Sequence, residues 1–366
     1  MQQHIHDQAA TQPPNLPSAL PPLGMSPFGS PSAPPVYRFK FHGNASEYFG
    51  IWIVNIILTI ITLSLYSPWA KVRRLRYFYQ NTEFAQRRFD FTGIPKKILV
   101  GRLIAIGVWL GASSLGYWSP RLAPYGVVIL YLAMPWLLRA TMRFTARNSK
   151  LGNSRFYFSG TTRRVYGQFV LAILITIVTL GLFAPVTIWL YKRYCFDHLY
   201  AGQLQFKLDN DWFHYMSAVY VPLGIAIVMF VVLIFFGIGA SFSGMNEDVI
   251  TMMVLIYFAF IVIVGPLILA RIYIATWNHI KVGNSRFKTE CNQWRYSWIL
   301  ATNWVARMLS FGLLTPWAAI RLHRYQVESL CLYLEDDPDQ MLNMVQKDHN
   351  AIAEEISDIF DLDISL

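Results

Sequence analysis

The side chains in this chain best suited to chemistry are basic ones set at helical spacing, and the chemistry they offer is holding anions. Lys71, Arg73, Arg74 and Arg76 crowd one stretch, WAKVRRLRY. Lys192 and Arg193 stand in a second, and Arg321, His323 and Arg324 in a third. Guanidinium forks bind carboxylate and phosphate oxygens, and basic residues beside apolar helices belong at the cytoplasmic interface. Lys71, Arg73, Arg74, Arg76, Arg193, Arg321 and Arg324 are therefore candidate contacts for anionic lipid or another anion, with plain snorkelling into head groups as the simpler role. A second group is polar within apolar runs: Asn55, Thr59, Thr62, Thr179, Asn303 and Arg307. Asn and Thr there glue helices together, while Arg307 needs a backbone carbonyl or a lipid phosphate.

Other chemistry finds little support. No Ser-His-Asp order, paired carboxylates or His-Glu metal motif can be read in the apolar body, so an enzyme is disfavoured and no catalytic or cofactor-binding residue is expected. Cys195 and His198 lie one helical turn apart, but two ligands do not make a metal site. Cys195, Cys291 and Cys331 have no paired spacing, which argues against a disulfide framework. GNSRF occurs at 152–156 and 283–287. It reads as a tight turn with positive φ leading into a strand, not as a phosphate loop.

The elements that must carry these residues are apolar. Hydrophobic residues make up 54% of the chain and charged residues 14%, too few charges for a soluble domain of this length. Apolar runs fall at 49–66, 98–116, 122–140, 167–191, 215–240, 250–274 and 297–315. Several reach the roughly 20 residues that span a bilayer core. The long runs hold no mid-depth Asp or Glu, which weakens an ion-coupled carrier. Interfacial anchoring explains the net charge of +10 without nucleic acid.

The chain also repeats itself. TLSLYSPWAKVRRLRY (62–77), TLGLFAPVTIWLYKRY (179–194) and SFGLLTPWAAIRLHRY (310–325) align without gaps on Pro68, Pro185 and Pro316. RFKFHG (38–43) aligns with RFYFSG (155–160), SRFKT (285–289) falls at the third position, and Pro135 matches Pro266. This reads as two full units, 37–153 and 154–284, and a partial one, 285–334. Each full unit has a short F-x-F strand, an apolar helix, a proline break, a basic helix, a second short strand and two long apolar helices. The breaks at Pro68, Pro185 and Pro316 start new helices, with Ser67 and Thr315 placed to cap them. Inside a bilayer, those helix starts would also turn positive dipole ends toward an anion. The expected fold is an all-α membrane protein, a polytopic helical bundle with short β pairs at the cytoplasmic face.

The run N-x-x-L-T-x-x-T-L-x-L-Y-S-P-W-A-K-V-R (55–73), followed by R-Y-F-Y-x-N-T, resembles the YjgN-like bacterial inner-membrane proteins. The resemblance covers about 37–334 and implies a multi-pass membrane protein of unestablished activity.

Basic residues lie at 71–102, 139–164, 192–207, 271–295 and 321–324, so inverting alternate units would put strong positive charge outside. A same-side arrangement avoids this: the helix–proline–helix elements enter and leave at the cytoplasmic face, and only the long helices cross. Seven simple spans are the alternative. Residues 1–36 read as a disordered Pro-rich tail with no signal peptide, and 335–366 as an acidic amphipathic tail, cytoplasmic, able to dock on the basic face or bind a partner protein. Two functions remain. One is a non-coupled transporter, channel or lipid-handling protein; the other is a structural membrane protein that organises lipids or partners.

Overall fold

The computed structural model describes residues 35–152, 154–243 and 247–335, so both terminal tails lie almost wholly outside it. Pairs of short strands alternate with pairs of helices. β1 (Val36–Arg38) and β2 (Lys40–Phe41) lead into α1 (Ala45–Ile61) and α2 (Ser67–Gln80). β3 (Thr82–Phe84) and β4 (Arg87–Phe91) lead into α3 (Pro95–Trp118) and α4 (Ala123–Arg147). β5 (Ser149–Leu151) and β6 (Ser154–Phe158) precede α5 (Thr162–Val178) and α6 (Ala184–Asp197). β7 (Leu199–Ala201) and β8 (Leu204–Leu208) precede α7 (Trp212–Ser243) and α8 (Glu247–Trp277). β9 (Ile280–Val282) and β10 (Ser285–Thr289) precede α9 (Gln293–Leu309) and α10 (Thr315–Glu328), and β11 (Leu330–Tyr333) follows.

The all-α expectation is wrong. The strands are not isolated pairs but one antiparallel sheet of eleven, in the order β1-β11-β10-β9-β8-β7-β6-β5-β4-β3-β2. Its first and last members, β1 and β2, are separated by Phe39 alone, so the sheet curls until it nearly closes into a small barrel. Phe39 keeps contact across the seam, its amide donating to the Leu330 carbonyl at 3.4 Å. The sequence hid the sheet because β3, β5, β7 and β9 are three residues each. Three residues at a helix end cannot display a period of two.

Topology fixes where the helices go. In a closed antiparallel sheet successive connections fall on opposite rims. The tight turns at Ala85-Gln86, Gly152, Gly202 and Gly283, all at positive φ, share one rim. Every helix pair leaves from the other. Five equivalent hydrogen bonds tie the necks of the helix pairs: His42 N–H to Asn81 O (2.8 Å), Thr92 to Asn148 (2.8 Å), Ser159 to His198 (2.9 Å), Asp209 to His279 (2.9 Å) and Glu290 to Ser329 (2.8 Å). Each helix packs on the next and α10 packs on α1, so the ten helices of the described residues ring one axis above the barrel. The units 37–153, 154–284 and 285–334 expected from sequence hold two, two and one of these hairpins.

Two long hairpins, α3/α4 and α7/α8, alternate with three short ones. Pro68, Pro135, Pro185, Pro266 and Pro316 each stand fourteen residues before the next strand. In the long hairpins the proline lies inside α4 or α8; in the short ones it begins α2, α6 or α10. The short hairpins thus resemble long ones cut back to the proline. At their tips two successive left-handed residues reverse the chain: Leu63 and Ser64 (φ 48° and 71°), Leu180 and Gly181 (50° and 84°), Phe311 and Gly312 (49° and 87°). Ser67 and Thr315 do not cap the following helices, contrary to the sequence reading. The caps come from the preceding helix: Thr62, Thr179 and Ser310 hydroxyls accept from the amides of Tyr66 (3.0 Å), Phe183 (3.2 Å) and Leu314 (3.0 Å). The five-residue turn brings the end of one helix over the start of the next.

Candidate functional site

The barrel interior is sealed by five phenylalanines, one from each exit strand region. Phe39, Phe89, Phe156, Phe206 and Phe287 each stand six residues before a helix begins, and alternation turns each inward. Their ring centroids form a closed circuit: Phe39–Phe89 at 6.4 Å, Phe89–Phe156 at 6.4 Å, Phe156–Phe206 at 6.3 Å, Phe206–Phe287 at 6.2 Å and Phe287–Phe39 at 6.1 Å. Neighbouring planes differ by only 20–40°. Rings facing the axis would have to turn by a fifth of a circle from one to the next, so these lie across the axis with edges inward. A pentagon of such sides has corners about 5 Å from its centre, and carbon contact radii take up most of that. Phe84, Leu151, Val282 and Leu332 pack in the same cluster.

Above this seal, on the axis, lies a chamber of about 450 Å³. Its floor includes Phe39, Phe89 and Phe156, and its walls come from α2, α4, α6, α8 and α10, the returning helices. The walls are mostly apolar: Phe78, Met142, Ala146, Phe196, Trp277 and Val327. Lys192 is the charged exception, and the hydroxyls largely turn back to backbone, as with Thr82 Oγ1 to Phe78 O (2.8 Å) and Ser149 Oγ to Thr145 O (2.7 Å). His323 differs. Its ring stands edge-on to Phe41 (4.8 Å) and Phe78 (4.7 Å), and its buried Nε2 finds no hydrogen-bond partner among the described residues. Burial pulls its pKa down to about 4. Burial also pushes the thiol of Cys195, another wall residue, up to about 12. His198, one turn away, is engaged by Tyr194 O (2.9 Å) and Arg164 (3.0 Å). Among the described residues no three His, Cys, Asp or Glu side chains gather as a metal site.

The basic residues singled out from sequence do not converge on one point. Arg76 and Arg324 tie their helices to the barrel rim, donating to Phe91 O (3.3 Å) and Gly43 O (2.7 Å), and Arg139 does likewise to Gly160 O (2.7 Å). Arg193 pairs with Asp197 (3.3 Å) over the Trp189 ring. Arg73 and Arg74 are exposed on α2. Lys71 is half-buried, and burial with Arg74 and Arg102 nearby holds its pKa below the usual range. Arg321 donates to Thr302 Oγ1 (2.8 Å) and Asn303 Oδ1 (3.3 Å). Asn303 is buried and spans to Ala318 O (2.9 Å), whereas Asn55 is buried with Oδ1 unpartnered, as is the Nε of Arg307. None of Asn55, Asn303 and Arg307 lines the axial chamber. The first-turn amides after Pro68, Pro185 and Pro316 are taken up locally, Trp69 by Tyr66 O (3.0 Å), Val186 by Phe183 O (2.9 Å) and Ala318 by Leu314 O (3.0 Å).

Sequence reasoning missed the phenylalanine seal and the chamber. The signal was present: RFKFHG, RFDFTG, RFYFSG, QFKLDN and RFKTEC are five versions of one motif, each preceding a helix hairpin.

Three helical stretches among the described residues, Pro95–Trp118, Pro120–Arg147 and Trp212–Phe236, are long and apolar enough to cross a membrane. With the sealed barrel beneath them, they define a helix-ringed membrane-protein class built on a small β-barrel. The family described as "Bacterial protein of unknown function (DUF898)" matches residues 36–359, and the chain belongs to it. Similar proteins are the Inner membrane protein YjgN of Escherichia coli O157:H7, 29% identical over 39% of this chain and 36% of that protein, and its namesake in strain K12, 29% identical over 34% and 32%. The Inner membrane protein YjgN of Salmonella typhimurium is 26% identical over 42% of this chain and 40% of that protein. The matched stretch therefore spans about a third to two fifths of these relatives' length. No solved structure matches.

Proposed function

We propose that the protein is a multi-pass lipid-handling protein of the bacterial inner membrane whose axial chamber holds an apolar chain, such as the acyl tail of a lipid. The observation that carries this reading is the chamber itself. About 450 Å³ lies within the roughly 300–1,000 Å³ of small-molecule sites, and the mostly apolar walls favour hydrocarbon over a hydrated solute. His323 Nε2 offers one polar contact to a carbonyl or carboxyl oxygen at the end of such a chain. The relatives named inner membrane protein support the location. The recurring hairpins are read as repeats that build the ring.

The barrel lies at the cytoplasmic side in this reading. Its outward strand residues include Arg38, Lys40, Arg88, Arg155, Lys207, Lys281, Arg286 and Lys288, which suits the positive-inside bias. All helix pairs leave one rim, which favours the same-side arrangement. A helix of 17 residues, such as α1, is about 25 Å long, short of the roughly 30 Å hydrocarbon core, so the short hairpins re-enter. The 24 and 25 residues of α3 and α4 give about 36 Å, enough to cross. Exposed Leu63, Leu180 and Phe311 at the short tips meet hydrocarbon.

Mass spectrometry of denatured, purified protein tests the chamber. Wild type retains about one lipid through detergent exchange; Ala146→Trp and Cys195→Trp, which fill the space, lose it. Equal retention by correctly folded filled variants would sink the proposal.

A further inference from the structure

Five equivalent hairpins provide an internal comparison, and the last of them carries three arginines at positions where no other hairpin has all three. Arg295 is eight residues after its sealing phenylalanine; the matching positions elsewhere hold Glu47, Lys97, Arg164 and His214. Arg321, nine residues before its strand, matches Arg73, Ala140, Leu190 and Arg271. Arg324, six before, matches Arg76, Arg143, Arg193 and Ile274. Three arginines coincide in the last hairpin alone, although all five hairpins fold. Trp298 also stands where the others have Gly50, Val100, Gly167 and Ser217.

These residues line one groove of about 410 Å³, where the last hairpin meets α1 and the helix ring closes. The guanidiniums are held in place: Arg321 by Thr302, Asn303 and the Trp317 ring (5.1 Å), Arg295 over Tyr325 (5.3 Å) and Arg324 by Gly43 O (2.7 Å). Among the described residues the groove's carboxylate is Glu328, 4.0 Å from Arg324 Nε and half-exposed, so positive charge is in excess there. Exposed Trp298 and Trp317 give it an apolar, interface-seeking wall.

We propose that this groove binds the phosphate of an anionic glycerophospholipid, the arginines taking phosphate oxygens and the tryptophans the glycerol and upper acyl region. The site rests on the membrane placement argued above but not on the chamber's ligand. The groove runs along α10 from Trp317 to Glu328, and Arg295, Arg324 and Glu328 lie toward its barrel end, near the level where the basic rim meets head groups.

Full-length protein in detergent is titrated with phosphatidylglycerol and with phosphatidylcholine in native mass spectrometry, with inorganic phosphate as competitor. Wild type prefers phosphatidylglycerol, and Arg295→Gln with Arg321→Gln weakens that binding about tenfold or more, as loss of charge-assisted bonds should. Arg286→Gln with Lys288→Gln, which removes equal charge from the outer barrel face, leaves it within about twofold. If Arg321→Gln compromises folding, Arg295→Gln alone, which disturbs only the Tyr325 stacking, carries the test. Ala146→Trp keeps groove binding, so failure here is distinguishable from failure of the chamber reading. Lipid preference lost in the arginine variants supports the proposal. Competition by phosphate without lipid preference overturns its lipid part in favour of free phosphate, and unchanged binding in folded arginine variants, or equal loss in the control pair, overturns it entirely.

Discussion

Replacing His323 with phenylalanine probes the chamber wall through a quantity that can be worked out in advance. His323 is on α10, whose 14 residues are too few to cross a bilayer, with Nε2 buried and unpartnered. Burial lowers its pKa from 6.5 to about 4, so the folded protein keeps it neutral where the unfolded chain protonates it. Above pH 6.5 both states are neutral and the histidine adds no pH dependence. As pH falls from about 6.5 toward 4 the unfolded state gains a proton that the native state refuses, so stability drops by about 1.4 kcal/mol per unit, about 3 kcal/mol in all. Phenylalanine keeps an aromatic ring against Phe41 and Phe78 but cannot titrate. The neighbouring wall groups Tyr191 and Cys195 are pushed up to about 12 and stay silent in this window. Thermal unfolding in detergent between pH 7.5 and 4.5 reads the effect as a difference between variant and wild type, which cancels the titration of carboxylates elsewhere. By pH 5 the His323→Phe protein should have gained about 2 kcal/mol relative to its position at pH 7.5, about 3 °C in Tm. Parallel curves for the two proteins would show that the imidazole is solvated, and the account of a buried, unpartnered imidazole would fail.

Three further outcomes follow from the same geometry. Ser64 holds a left-handed φ of 71° where the other short hairpins have glycine, so Ser64→Gly should stabilise the protein by about 1 kcal/mol in thermal unfolding. Gly126 packs so closely on α3 that an added Cβ would overlap the Ala112 carbonyl; Gly126→Ala should cost at least about 1–3 kcal/mol and part α3 from α4, detectable as accelerated proteolysis. In the phenylalanine circuit, double-mutant cycles to alanine should give coupling of about 0.5–1.5 kcal/mol for the adjacent pair Phe89 and Phe156, and near zero for the non-adjacent pair Phe89 and Phe287.

Much of the helical layer was legible in the sequence. Apolar run length announced the long helices, and Pro68, Pro185 and Pro316 marked the restarts of α2, α6 and α10 because proline's fixed φ and missing N–H act locally. Gly283, and Gly152 before it, gave the strand turns for the same local reason. The site was far less legible. Asn55, Asn303 and Arg307 drew attention as polar residues in apolar runs, yet the chamber is walled by Phe78, Met142, Phe196 and Trp277, which look like any core residues. The period was also underread: Pro135 and Pro266 match the other three prolines only when counted from the following strand, because the long and short hairpins differ in length before that point.

The sequence by itself determined which stretches are helical, where they break and which faces carry charge, since each depends on neighbours a few residues apart. Only the tertiary structure decided that eleven short strands join into one sheet, because their hydrogen bonds pair residues as distant as Val36 and Tyr333. That closure turns five scattered phenylalanines into a seal, and sets Arg295, Arg321 and Arg324 beside α1, where the last hairpin meets the first. Spacing along the chain carries no record of distance across it, so the barrel, the chamber and the groove all wait on the fold.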